Sequence, residues 1–266
     1  MRVIAIWNLE RSVGKTIAAL ALAENLATRR ERRILLIDAD SQGKLTALLH
    51  GNPHDGNLME VLTAADGAYG VSAIQPTFNK RVDLLCGSDS LMDLDMNCMV
   101  KEQYRPTALG EMITHLIETD QEYDYVLIDC PPAFNMAAKA VLQAANEIII
   151  PVRLPGFSLN SMGNLVRQVS NIQRVNPSVR LLGCLPTMYS QEKKCQKALE
   201  ILQINDLPVF KSKIWQVQTK KKTSIENSLI LENAATVYKD CYKLMKEVDS
   251  EAVFVATEPL FVKGNA

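Results

Sequence analysis

The sequence predicts an α/β protein built on a doubly wound, mainly parallel sheet with helices on both faces. Two observations predict it. Short apolar runs the length of buried strands recur along the whole chain. Between several of them lie longer segments whose apolar residues are spaced three and four apart, the period of a helix packed on one side. Strands alternating with helices make parallel β-α-β units, and the right-handed crossover of such units puts helices on both faces of one sheet.

Each element can be justified in order. The first strand is the run Val3 to Trp7, and Ile17, Leu20, Ala21, Ala23, Leu26 and Ala27 mark the helix after it. Arg29, Arg30, Arg32 and Arg33 close that helix with charges suited to its dipole. Ile34 to Ile37 is the second run. From His50 to Asn79 the pattern is broken by Gly51, Pro53, Gly56, Gly67 and Gly70, around a short helix expected at Leu58 to Thr63. The third run is Val82 to Leu85. Ala108, Met112, Leu116 and Ile117 give the helix before the fourth, Tyr125 to Ile128. Ile148 to Ile150 follows, then a helix on Leu159, Met162, Leu165, Val166 and Val169, and the run Leu181 to Leu185. A helix starting at Lys193 and Lys194 precedes the last expected strand, Val209 to Ile214. No repeat and no Pro, Gly or Ser tract divides the chain, so one domain over 1–266 is expected.

Composition narrows the function classes. With 266 residues and 47% hydrophobic content, the chain can enclose a core without disulfides or metals. A net charge of -1 excludes a uniformly basic nucleic-acid coat but leaves a local basic face open. Six dispersed cysteines without a C-x-x-C pair give no support to a zinc ribbon or a thioredoxin-like site, and read as reduced core residues. His50, His54 and His115 have no metal-ligand spacing. The run Val3 to Trp7 is too short for a signal peptide or a membrane span, so the chain reads as cytoplasmic.

The chemistry gathers after the first strand. Asn8-Leu9-Glu10-Arg11-Ser12-Val13-Gly14-Lys15-Thr16 joins strand to helix in the manner of a P-loop. In such a loop the backbone N–H groups from Arg11 to Ile17 form an anion nest, Lys15 reaches the outer phosphates and the Thr16 hydroxyl ligates magnesium. Two further strands end in carboxylates: Ile37-Asp38-Ala39-Asp40-Ser41-Gln42-Gly43 and Ile128-Asp129-Cys130-Pro131-Pro132. Carboxyl ends of strands are the edge where ligands bind in open α/β sheets, although an aspartate there can also simply cap a turn.

These segments resemble the ParA/MinD family of partition ATPases, whose loop reads Lys-Gly-Gly-x-Gly-Lys-Thr and whose later motifs read Asp-x-Asp-Pro-Gln-Gly and Asp-Cys-Pro-Pro. The similarity extends to Asn57 to Leu62, Ile150-Pro151-Val152 and Leu185-Pro186-Thr187-Met188-Tyr189, and so spans most of the chain. The resemblance implies a Mg-ATP site in which Arg11, Ser12, Val13, Gly14, Lys15, Thr16 and Ile17 hold the nucleotide. It implies that Thr16, Asp38 and Asp129 support the metal, and that Asp40, with Lys15, is catalytic by orienting the attacking water.

The loop departs from the family at one end. Glu10 falls where the family has its signature lysine, and Arg11 and Ser12 fall on two glycines. That lysine is thought to contact the partner subunit's phosphates, where Glu10 would bring like charge instead. Three readings stay open: Arg11 replaces the missing cation, ATP binds but turns over slowly, or nucleotide-dependent dimerisation is lost. Cys130 within its motif does not suit an intersubunit iron–sulfur cluster, and the tail from Glu251 to Ala266 is no basic amphipathic membrane helix. Its Val253, Phe254, Val255, Phe261 and Val262 are expected to pack on the domain or a partner.

The resemblance thus implies an ATPase acting in plasmid, integrative-element or chromosome partition, as an ATP-dependent homodimer that binds DNA non-specifically, with a DNA-binding adaptor protein as partner. Lys220, Lys221 and Lys222 are the first DNA candidates, with Lys193, Lys194, Lys211 and Lys213 beside them. The alternative is a weakly or non-hydrolysing scaffold of the same fold that localises a secretion or pilus apparatus.

Overall fold

The structure is a computed structural model that describes residues 1–64, 69–95, 104–119, 123–204, 207–216 and 243–249. Seven strands form one sheet: β1 (Arg2–Ile6), β2 (Ile34–Asp38), β3 (Ile74–Pro76), β4 (Val82–Leu85), β5 (Tyr125–Asp129), β6 (Glu147–Arg153) and β7 (Arg180–Thr187). Their order is β3-β4-β2-β5-β1-β6-β7, and every pairing is parallel except β3 with β4. The expected α/β class is found.

Strand alternation splits the core into two layers. Val3 and Ala5 of β1, and Trp7 just after it, pack on one face, with residues of α3 (Leu58–Thr63), α5 (Ala108–Glu118), α6 (Met136–Ala144), α7 (Leu159–Val175) and α8 (Lys193–Gln203). Ile4 and Ile6 pack on the other, with α1 (Lys15–Arg30), residues around α2 (Lys44–Leu48), and Leu244, Met245 and Val248 from a helical stretch over 243–249. Both layers are nearly dry, so apolar burial on each side holds the sheet between them.

The structure revises three local expectations. In the broken stretch, α4 (Tyr69–Ser72) leads into β3, which the Gly-rich pattern had hidden. Val209 to Ile214 is no full strand: it runs beside β7 through one isolated bridge, Cys184 with Val209, with Cys184 N–H donating to the Pro208 carbonyl and Ile214 N–H to the Pro186 carbonyl. Arg32 and Arg33 do more than complement a helix dipole. Arg32 pairs with Asp124 and Asp249, Arg33 with Asp83, and Arg30 with Asp249.

Candidate functional site

Register brings the site together. Asp129 is the Cα partner of Ile6 in β1 and of Asp38 in β2, so two carboxylates stand side by side where the loop leaves β1. Since Tyr125 and Leu127, and Ile34 and Leu36, face the α1 layer, period-two alternation turns Asp129 and Asp38 the same way. The start of α1 lies on that side.

The loop between β1 and α1 is held from three directions. The Asn8 amide donates to the Pro151 carbonyl at 2.7 Å and its Oδ1 accepts the Glu10 N–H at 2.9 Å. The Leu9 N–H donates to Gln168 on α7, and the Thr187 hydroxyl at the end of β7 donates to the Val13 carbonyl at 2.8 Å. Two residues take left-handed backbone angles, Ser12 (φ 56°) and Gly14 (φ 90°). Glycine adopts this freely, whereas at Ser12 a side chain resists it. Gly14 caps α1 without any side-chain hydrogen bond, which leaves the helix N-terminus to an outside acceptor.

Lys15 is buried. Its Nζ donates to the carbonyls of Asn8 at 3.0 Å and Glu10 at 2.9 Å, closing the loop on itself. Burial lowers its pKa; the nearby Asp129 carboxylate opposes this, and Arg11 adds to the lowering. Arg11, Glu10 and Ser12 are exposed, while Val13 is buried and Thr16 and Ile17 are half-buried in the first turn of α1.

The two carboxylates differ sharply in their partners. Asp38 accepts from the Thr46 N–H at 2.8 Å, the Thr46 hydroxyl at 2.9 Å and the Asp40 N–H at 3.2 Å. Burial outweighs these bonds and pushes its pKa up to about 6. Asp129 is just as buried, yet neither of its oxygens has a hydrogen-bond partner of ordinary geometry among the described residues. The Thr16 hydroxyl is close enough to ease the charge without making such a bond. Burial first, then Asp38, drives the Asp129 pKa well above the usual carboxylate range. Asp40 is half-buried at the mouth, its Oδ1 accepting the Gln42 N–H at 3.1 Å.

Several residues that shape this site carry no motif in the sequence reading. Thr46 clamps Asp38, and its hydroxyl accepts the Gly87 N–H at 2.9 Å. Gly87 is required there, because a Cβ would lie 2.8 Å from the Asp38 carbonyl oxygen and 3.0 Å from the Asp40 one. Its only sequence signal is a glycine two residues after the end of an apolar run. Beyond Thr187, the Tyr189 ring stands edge-on to Trp215 at 4.7 Å between centroids, with Lys213 Nζ 4.9 Å from the Tyr189 centroid. Of the DNA candidates, Lys193, Lys194 and Lys211 are exposed, and Lys194 pairs with Glu192. Lys220, Lys221 and Lys222 lie outside the described residues, as does the tail from Glu251. Among the described residues no group of His, Cys, Asp and Glu forms a metal cluster, and no helix is long and apolar enough to cross a membrane. Cys86, Cys130, Cys184 and Cys195 are free and buried; Cys98 and Cys241 lie outside the described residues.

Comparison with known proteins bears on this site. An AAA domain family model matches residues 1–181, from β1 into β7. The chromosome-partitioning ATPase Soj of Thermus thermophilus is 32% identical over 202 residues, 71% of this chain and 70% of that one. The chain belongs to the ParA/Soj family of AAA-domain proteins. A second member, the chromosome partitioning protein ParA of Myxococcus xanthus, is 30% identical over 71% of this chain, and the match covers 65% of that relative's length, just under two thirds. Cobyrinic acid a,c-diamide synthase of Mycobacterium smegmatis, solved with an ATP analogue and magnesium, superposes with a TM-score of 0.76 at 26% identity, covering 96% of this chain and 98% of that one. In this ParA/Soj-family chain the loop, the ends of β2 and β5 and the loop after β4 fall inside the matched segment 1–181, and Thr187, which holds the loop from β7, lies beyond it.

Proposed function

We propose that this protein binds Mg-ATP at the loop between β1 and α1 and hydrolyses it, as a ParA-like ATPase in plasmid, integrative-element or chromosome partition. The observation that carries the proposal is Asp129, a buried carboxylate with no hydrogen bond of ordinary geometry among the described residues, standing beside a helix N-terminus without a side-chain cap and a buried lysine. An anionic group left so is costly unless a cation completes it. Magnesium takes oxygen ligands and keeps several waters, so the donor set of Thr16, Asp129 and Asp38 suits it. The family relative named a chromosome-partitioning ATPase, and the synthase solved with an ATP analogue and magnesium, support the same reading.

Each residue then has a role. The N–H groups from Arg11 to Ile17 cradle phosphate oxygens, and Lys15 gives up the carbonyls of Asn8 and Glu10 to reach them. Thr16 and Asp129 would hold the metal, and Asp38, already bonded to Thr46, would support it. Bound magnesium neutralises charge on the phosphates. Asp40, half-buried at the mouth, orients the attacking water, and phosphoryl transfer needs little else from the protein. The Tyr189 and Trp215 rings offer aromatic surface for the base. In this reading two copies pair on ATP, the pair binds DNA without sequence preference through Lys220, Lys221 and Lys222, and an adaptor protein recruits the cargo.

Titration calorimetry and a phosphate-release assay test the core of the proposal. Lys15→Ala abolishes ATP binding, and Asp40→Ala keeps binding while turnover falls about a hundredfold or more. Unchanged affinity in the first variant would sink the nucleotide site. Unchanged turnover in the second would remove Asp40 from the mechanism.

A further inference from the structure

Asp40 stands on a turn between β2 and α2. Its carbonyl accepts the Gly43 N–H at 2.9 Å, and Gly43, in the left-handed region at φ 58°, starts α2. One carboxylate staples both ends of this turn. At the near end the Asp40 N–H donates to Asp38 Oδ1 at 3.2 Å. At the far end Thr46 donates its N–H at 2.8 Å and its hydroxyl at 2.9 Å, both to Asp38 Oδ2.

The Thr46 hydroxyl has a second partner on the other side. Gly87, in the loop after β4, donates its N–H to the same oxygen at 2.9 Å. A hydroxyl carries one proton and two lone pairs, and a backbone N–H can only donate, so the proton goes to Asp38 and a lone pair takes Gly87. Gly87 is also pressed against the turn itself. A Cβ there would lie 2.8 Å from the Asp38 carbonyl oxygen and 3.0 Å from the Asp40 one. The backbone that carries Asp40 is thus held between Asp38 and the loop after β4, and the buried Thr46 hydroxyl joins the two.

We propose that Thr46 is a positioning residue for hydrolysis: its hydroxyl, through Asp38 and Gly87, holds the turn that presents Asp40 to the attacking water. This rests on the reading of Asp40 as the group that orients that water. The nucleotide loop has its own fastenings, Lys15 on Asn8 and Glu10, Gln168 on Leu9 and Thr187 on Val13. Loss of the Thr46 hydroxyl therefore acts on turnover and spares ATP affinity.

Phosphate release, titration calorimetry with Mg-ATP and hydrogen exchange on the full chain test this. Thr46→Val keeps the side chain's shape without its hydroxyl, and turnover falls about tenfold or more while ATP affinity stays within about twofold. Thr46→Ser keeps the hydroxyl and turns over within about threefold of the parent. Added to Asp40→Ala, Thr46→Val slows turnover no further, because the two act on one step. In the nucleotide-free protein the Asp40 and Gly87 amides exchange about tenfold faster in Thr46→Val and at the parent's rate in Thr46→Ser. Gly87→Ala reaches the same turn with Thr46 intact: its Cβ displaces the Asp38 and Asp40 carbonyls, and turnover again falls about tenfold. Parent-like turnover in Thr46→Val or in Gly87→Ala overturns the proposal, as does a Thr46→Ser protein as slow as Thr46→Val. A further drop on the Asp40→Ala background, or ATP affinity lost in step with turnover, overturns it as well. If instead Asp40→Ala alone turns over like the parent, the role of Asp40 falls first and takes this proposal with it.

Discussion

Replacing Asp129 by asparagine should stabilise the nucleotide-free protein while removing its response to Mg-ATP. Asp129 is 1% exposed and neither oxygen is hydrogen-bonded among the described residues. An ionised carboxylate in that position costs several kcal/mol, whereas an unsatisfied neutral amide of the same shape costs about 1–3 kcal/mol. The exchange therefore gains about 2 kcal/mol wherever Asp129 is charged, a rise in Tm of roughly 4–8 °C at this chain length. Lys15 retains the carbonyls of Asn8 and Glu10 after the charge is gone. The sign with pH follows from the raised pKa. The folded protein binds the Asp129 proton more tightly than the unfolded chain, so stability is lost as pH rises from the usual carboxylate range through the folded pKa. Asp38, pushed up to about 6, adds loss in the same direction between about pH 4 and 6. The parent should thus melt higher near about pH 5 than near about pH 8.5, and the advantage of Asp129→Asn should grow across that range. Differential scanning calorimetry at both pH values, with and without Mg-ATP, measures all of this. An Asp129→Asn protein that melts below the parent at the alkaline pH, or one that gains as much as the parent from Mg-ATP, refutes the reasoning.

Glu10→Lys should strengthen ATP-dependent dimerisation, and Glu10→Ala less so, because at an effective dielectric of about 20 each like-charge contact with a partner's phosphates costs up to several kcal/mol before screening. Analytical ultracentrifugation with and without ATP reads this, and weaker association of Glu10→Lys would place Glu10 against a different group. Ser12→Gly relieves about 1 kcal/mol of left-handed strain at φ 56° and returns about 0.5 kcal/mol of freedom to the unfolded chain, so the urea midpoint should rise slightly. A lower midpoint would mean that the Ser12 side chain holds the loop. Alanine at Lys220, Lys221 and Lys222 together should weaken ATP-dependent duplex DNA binding and flatten its salt dependence, and equal binding at low salt would make this run an ordinary solvated surface.

Fold class was legible in the sequence because strands and helices announce themselves by local period: the runs at Val3, Ile34, Tyr125 and Ile148 are all strands. That Asp38 and Asp129 stand at one edge of the sheet was legible too, since both end such runs and parallel strands align their carboxyl ends, whereas their pairing came only with the strand order. What residues 91 positions apart do to each other was not written in either motif. Only the tertiary structure gave Asp38 three donors and left Asp129 with none among the described residues, because Thr46, itself held by the Gly87 N–H, reaches Asp38 from α2. Thr187 clasps the Val13 carbonyl across 174 residues, and Lys15 turns onto Asn8 and Glu10. The short antiparallel β3 and the bridged segment at Val209 escaped a reading by period, since their pairing comes from neighbours already in place rather than from their own pattern. Sequence determined which residues could carry the chemistry, through local spacing and burial. Folding decided which of them stay unsatisfied, because hydrogen-bond partners in a crossed β-α-β sheet are assigned by register and not by distance along the chain.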